Sequence, residues 1–253
     1  STQVSNDYID GIGEIEHAPW SHIEASMLKE KHKINKVSLD KATYRSASHT
    51  DPTLLGVTLD FEAGKINYIY NPDREHWNQS VKILSGSTEL QVGRLLINDL
   101  DASTYFTKVN LSNVITFNFS VLFPRDTIKN IVTQRNNDID EQRLSQITMQ
   151  LGLNEFIHGL PGGLNHRLMD FEDELYDRDL MQKLDLARTL YSQADFKVLQ
   201  DPSLILQPRQ WVWVYRELAA QAQSGKVIII IGNSRNAQKL FPNVTKISKG
   251  LVS

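Results

Sequence analysis

Eight residues after a short β-prone run, Ile66 to Tyr70, read N-P-D-R-E-H-W-N, Asn71 to Asn78, and bring a guanidinium, an imidazole and two carboxylates into one loop. Arg74 and His76 are the groups there that can meet an anion, whereas Asp73 and Glu75 would repel it. The chain has no cysteine, which removes disulfides, thiolate metal sites and thiol nucleophiles. Seven histidines are present. His17, His22, His32, His49, His76, His158 and His166 form no i, i+4 pair, so they read as surface histidines and no metal site is expected. No G-x-S-x-G elbow marks a hydrolase nucleophile. Trp211, Trp213 and Tyr215 read as helix-packing aromatics, Ser85-Gly86-Ser87 as a turn, and the acidic run Phe171 to Asp179 as a solvated loop before a helix.

The elements that would position these residues follow from patterning. Ser1 to about residue 35 is polar and weakly patterned, with one short apolar helical face at Trp20, Ile23, Met27 and Leu28, and reads as a linker ahead of a domain at 36–253. Val37 to Phe61 alternates as two antiparallel strands around a turn at His49-Thr50-Asp51-Pro52. Strands are expected at Ile66 to Tyr70, Arg94 to Ile97, Val114 to Phe119, Phe196 to Leu199, Lys226 to Ile231 and Val244 to Ile247. Helices are expected at Gln79 to Leu84, across 127–152, at Leu180 to Leu190 and at Trp211 to Gln223, the last stopped by Ser224-Gly225. Strands lead, helices cluster, and strand–helix–strand returns, so the fold class is α/β with an inserted helical lobe at about 127–190. A net charge of -3 gives no electrostatic reason to expect nucleic acid. No apolar run approaches the roughly 18 residues that cross a bilayer.

A set of segments in fixed order sharpens this. LLGVTLDFEAGK (54–65), VGRLLINDLDA (92–102), VLFPRDTIKNI (121–131), GLNEFIHGLPGGLNHRL (152–168), LDLARTL (184–190) and Asp201-Pro202-Ser203 keep the order and approximate spacing of one frame. That frame resembles the nucleotide-binding domain of ABC exporters, nearest in pattern to the bacterial type I secretion branch. The resemblance implies a RecA-like parallel sheet with an antiparallel β subdomain and an inserted helical subdomain. It also implies a transmembrane-domain partner, fused or separate, a second nucleotide-binding domain, and a place at the cytoplasmic face of a membrane.

The positions that carry the family's chemistry are altered. The phosphate-binding loop falls on 71–78, with Trp77 at the lysine and Asn78 at the magnesium ligand, and side chains stand where glycines would let the backbone wrap phosphate. Gln200 and Asp201 stand at the Walker B aspartate and the following glutamate, and Asn233 at the switch histidine. The signature aligns with Tyr176, Asp177, Arg178, Asp179 and Leu180, without a glycine. The adenine-stacking aromatic falls near Ser46, with Tyr44 two residues away, and the Q-loop glutamine on Asn118 or Ser120. The expectation is a pseudo-ATPase needing no cofactor, serving as the structural or regulatory half of a transporter. Two alternatives stay open. One is an ATPase retaining ATP and Mg²⁺ through Arg74, His76, Tyr44 and Ser46, or through LSGSTEL (84–90), which lacks a lysine. The other is a protein-interaction module on the same fold.

Overall fold

Short-period alternation in the first described strand sets one face inward. In β1 (Lys36–Tyr44) Val37, Leu39 and Ala42 are buried, and the alternation survives a register shift because Lys41 takes a left-handed φ of 50° at a bulge. The computed structural model describes residues 33–108, 113–120, 125–168 and 177–253. The linker reading of the first 35 residues, including Trp20, Ile23, Met27 and Leu28, therefore falls almost wholly outside the described residues, as do His17, His22, His32 and Tyr176. The chain divides into Ser1–Lys33 and Ile34–Ser253, and the description below concerns the second unit.

Gly93 lies opposite the bulge. Its φ is +81°, and a Cβ there would sit 2.3 Å from the Lys41 carbonyl oxygen, so only glycine fits. β1 pairs antiparallel with β2 (Leu54–Glu62) and β4 (Val92–Ile97), and β4 with β5 (Leu100–Asp101), giving a four-stranded sheet of order β2-β1-β4-β5. Asn98 and Asp99, both at positive φ, make the tight β4–β5 hairpin. The Asn98 Oδ1 also accepts from the Asn35 and Lys36 amides, fixing where the chain enters β1.

The second sheet has the order β10-β9-β3-β8-β7-β6. Its members are β3 (Ile66–Tyr70), β6 (Val114–Phe117), β7 (Phe196–Gln200), β8 (Val227–Gly232), β9 (Asn243–Ser248) and β10 (Leu251–Val252). All pair in parallel except β10, which runs antiparallel to β9. β8 is continuously apolar because both of its faces are covered. Ile228 and Ile230 pack into one core, and Val227, Ile229 and Ile231 into the other.

Helices α1 (Trp77–Leu84), α2 (Ala102–Lys108), α3 (Ile128–Thr133), α4 (Glu141–Gln150), α5 (Asn154–Gly159), α6 (Arg178–Tyr191), α7 (Pro208–Gln223) and α8 (Arg235–Leu240) complete the described elements. α2, α5 and α8 are short and carry no long apolar stripe to announce them. The single helical stretch expected over 127–152 is two helices. Gln134 and Arg135 both turn left-handed and end α3, and the Asp140 carboxylate then caps α4 by accepting from the Arg143 amide.

Asp126 holds the entry to these helices. Its carboxylate accepts from Asn130 Nδ2 and the Thr127 amide, both at 2.8 Å, and from Arg135 Nε at 2.6 Å. The Asn130 bond first, then Arg135 and Thr127, hold its carboxyl down at about 2. The other end of the helical segment is fastened by a buried cation. Lys197, on β7 and fully buried, donates from Nζ to the Thr189 and Ser192 carbonyls at 2.6 Å each, at the carboxyl end of α6. Burial pushes this ammonium well below the ordinary lysine range, and the nearby charges of Lys226 and Arg143 push the same way. The strand expected to run to Phe119 stops at Phe117. Phe119 leaves the ladder, its amide donating to Gln200 Oε1 and its carbonyl accepting from Gln182 Nε2.

Candidate functional site

Parallel pairing brings the carboxyl ends of β3, β7 and β8 to one edge of the sheet, with Tyr70 opposite Gly232 and Gln200 opposite Ile231. Segments far apart in sequence, 71–78, 200–203 and 232–234, therefore lie together where ligands bind in open α/β sheets.

The first segment is closed by its own side chains. The Asn71 amide donates to the Gly232 carbonyl, and its Oδ1 accepts from the Asp73 amide. A 3-10 turn at Arg74–His76 leads into α1. Trp77 is only 2% exposed, inserted into the core that includes Phe61, Ile69 and Val81, and its indole N–H donates to the Asn71 carbonyl at 3.0 Å. Arg74 is exposed and lies over that ring, 5.4 Å from its centroid. The Asn78 Oδ1 is buried without a hydrogen-bond partner.

His76 departs from the surface reading. It is 1% exposed, its Nδ1 is 3.2 Å from Thr53 Oγ1, and its ring meets His49 edge-on at 5.0 Å. The absence of any short sequence spacing hid this pair, because the β1–β2 loop brings His49 across. Glu75 Oε1 lies 3.6 Å from His76 Nε2, which is ion-pair range but too long for a hydrogen bond.

Asp201, like His76, is only 1% exposed. Its Oδ2 accepts from the Tyr68 hydroxyl at 2.7 Å, and its Oδ1 accepts from the Tyr215 hydroxyl and from the Ser203 amide. The Tyr68 oxygen in turn accepts from the Ser234 amide, joining β3, β7 and the start of α8. Burial first, and the Asp201 charge next, push both phenols up, so they stay protonated as donors. Phe241 stacks on Tyr68 and meets Tyr215 edge-on, and Tyr215 meets Trp211 in the same way. Gly232 closes the group. A Cβ there would lie 2.5 Å from Asp201 Cβ and 2.6 Å from the Tyr68 oxygen.

The remaining positions are dispersed. Gln200 is buried, with its Oε1 on the Phe119 amide. Asn233 is partly buried beside this group in sequence. Asn118 Oδ1 accepts from the Ser120 amide, an interaction local to the chain after β6. Tyr44 packs on the antiparallel-sheet core, and the Ser46 hydroxyl pairs with Ser48 at 2.8 Å. Asp177 caps α6 by accepting from the Asp179 amide; Asp177, Arg178 and Asp179 are exposed, and Leu180 packs partly against the core. Sequence reasoning missed Tyr68 and the polar role of Tyr215. Tyr68 bonds a residue 133 positions away, which no local pattern can signal. Among the described residues no group of three or more His, Asp or Glu is placed to hold a metal ion.

No family model matches the chain, and no curated protein matches it in sequence. Solved structures do match. A bacterial Atm1-family ABC exporter, solved with ATP bound, aligns with a TM-score of 0.71 at 16% identity, over 88% of this chain. The chain spans 39% of the length of that exporter chain. The likeness is one of fold, a mixed α/β arrangement of two sheets and flanking helices. No helix among the described residues is long and apolar enough to cross a membrane.

Proposed function

We propose that this chain is an ABC-type nucleotide-binding domain that has given up catalysis and serves an exporter as a structural or regulatory half. The observation that carries the proposal is Asp201. At the place where an ATPase of this frame keeps a carboxylate to position attacking water, the carboxylate here is occupied by two phenols and a backbone amide. A nucleotide and its magnesium would need an ammonium for the phosphates, a hydroxyl or carboxylate for the metal, and open backbone N–H groups. The residues present do not fit that group. The indole of Trp77 fills the core, His76 is buried against Thr53, and Gln200 is neutral and engaged by Phe119.

On this proposal the partners are the transmembrane domain of an exporter and a second nucleotide-binding domain, at the cytoplasmic face of a membrane. Its test is a calorimetric titration of the purified chain with ATP and Mg²⁺, with the melting temperature followed in parallel. No heat and no shift in melting temperature are expected. Binding at about millimolar affinity (about -4 kcal/mol) or tighter would favour a nucleotide-regulated domain instead, and Mg²⁺-dependent turnover abolished by Asp201→Asn would overturn the proposal.

A further inference from the structure

All 30 carboxylates of the chain lie before residue 218, whereas residues 218–253 carry five of its 27 cations. The net charge of -3 therefore hides a marked separation of charge along the chain. Lys226 is spent inside the fold, donating to the Gln193 and Ala194 carbonyls. Arg235, Lys239, Lys246 and Lys249 are exposed, and no carboxylate among the described residues pairs with any of them. Elsewhere surface cations are paired, as Lys36 is with Asp60, Arg94 with Asp40 and Lys129 with Glu141. We infer that these four cations, with the exposed leucines beside them, form a docking face for an acidic segment of a partner protein that also carries apolar side chains.

The fold gathers these side chains on one side of the parallel sheet. α8 buries Ala237, so Arg235 and Lys239, one turn apart, point the other way. In β9, Val244 packs against the core that holds Ala237 and Ile247 lies in the other core. Lys246 therefore shares the face of Val244. Leu251 pairs with Ser248 between β9 and β10 and shares that face too. Lys249 stands in the β9–β10 turn with a φ of 52°. The turn is held in place: the Gly250 carbonyl accepts from the Leu55 amide, and a Cβ on Gly250 would lie 2.9 Å from Pro52 Cγ. Leu240, which ends α8, and Leu251 are 56% and 53% exposed, large apolar side chains beside the charges.

Charge complementarity calls for an anion, and the separation of charge selects its kind. An extended polyanion, whether a bilayer surface or a nucleic acid, also meets the carboxylate-rich remainder of the chain and is repelled by it. A short acidic segment meets the cationic face alone, because at physiological salt charges are screened beyond about 8 Å. The exposed leucines add a contact that a nucleic-acid backbone does not use, whereas apolar side chains of a polypeptide do. This docking needs neither nucleotide nor membrane, and so stands apart from the function proposed above.

The probe is a fluorescein-labelled random copolymer of glutamate and tyrosine, titrated with the full chain and followed by fluorescence anisotropy. Binding is expected at low salt, weakening about tenfold or more between about 50 mM and about 300 mM salt. Lys239→Glu combined with Lys246→Glu should weaken it about tenfold or more at the lower salt. Lys82→Glu combined with Arg178→Glu makes the same change in net charge on α1 and α6, and should leave affinity within about twofold. Leu240→Ser combined with Leu251→Ser should weaken binding about threefold or more without altering its salt dependence. All six substituted side chains are exposed, and circular dichroism with melting temperatures checks that each variant folds. Vesicles of phosphatidylcholine with phosphatidylglycerol, and duplex DNA, are titrated in parallel and should bind more weakly than the copolymer. No binding of the copolymer, an equal loss in the α1 and α6 pair, unchanged binding in the lysine or leucine pair, or tighter binding of vesicles or DNA would overturn the inference.

Discussion

At the end of its buried strand Asp201 gives three of a carboxylate's roughly four acceptor positions to protein donors, two phenols and a backbone amide. Its contribution is then to stability. Tyr215→Phe should cost about 1–3 kcal/mol, because it strips a donor from a buried carboxylate. Asp201→Ala should cost about 3–5 kcal/mol, because two buried phenols lose their shared acceptor. Urea unfolding of both variants checks the pair, and a loss below about 0.5 kcal/mol in each would mean the latch is unimportant. At this scale the sequence was informative where chemistry has a local address. FKVLQ followed by Asp-Pro-Ser located Asp201 at a strand end, whereas Trp77 was read as part of the loop before a helix at Gln79 and is in fact that helix's first residue. It was silent where partners come from distant strands, as with Tyr68 on Asp201 and His49 on His76.

Elements are fastened at their ends, and the fastening at Asp126 sets how the chain responds to acid. Its carboxyl titrates at about 2 in the folded chain, against an ordinary value of 3.8. Above 3.8 both states are ionised and the full stabilisation is present. As the pH falls the unfolded chain takes up the proton first, so this stabilisation shrinks and is gone below about 2. Arg135→Gln should flatten the acid-side slope of stability against pH, lowering stability most above about pH 4, where the carboxylate is ionised in both states, and least below about pH 2; denaturant midpoints at stepped pH measure it. Apolar periodicity foretold most helices and strands to within a few residues, because it reports which face is buried. It ran α3 and α4 together, since the break depends on Gln134 and Arg135 turning left-handed rather than on a glycine or proline. It extended β6 to Phe119, since Phe119 is apolar yet held by Gln200 and Gln182 outside the ladder.

For the molecule as a whole, the parallel sheet divides one core from another, and successive residues of β8 serve opposite sides. Ile229→Ala and Ile230→Ala, neighbours in sequence, should each cost about 2–5 kcal/mol through unrelated cavities. If the two cores unfold as one, circular dichroism and tryptophan fluorescence will give coincident transitions in both variants. Separate transitions, with each variant shifting only one, would show two independently melting layers. The α/β class and the run of helices between β6 and β7 were legible because they are written in the order of periodic segments. The enclosure of the strand ends was not, because it arises only when three segments meet at one edge. A last consequence follows from Lys197, whose ammonium is sealed beneath the end of α6. Reagents that acylate amines will pass it by in the native chain and mark it only after the sheet has parted from that helix. Its labelling rate is thus an internal clock for complete opening, readable by mass spectrometry beside the many surface lysines that react at once.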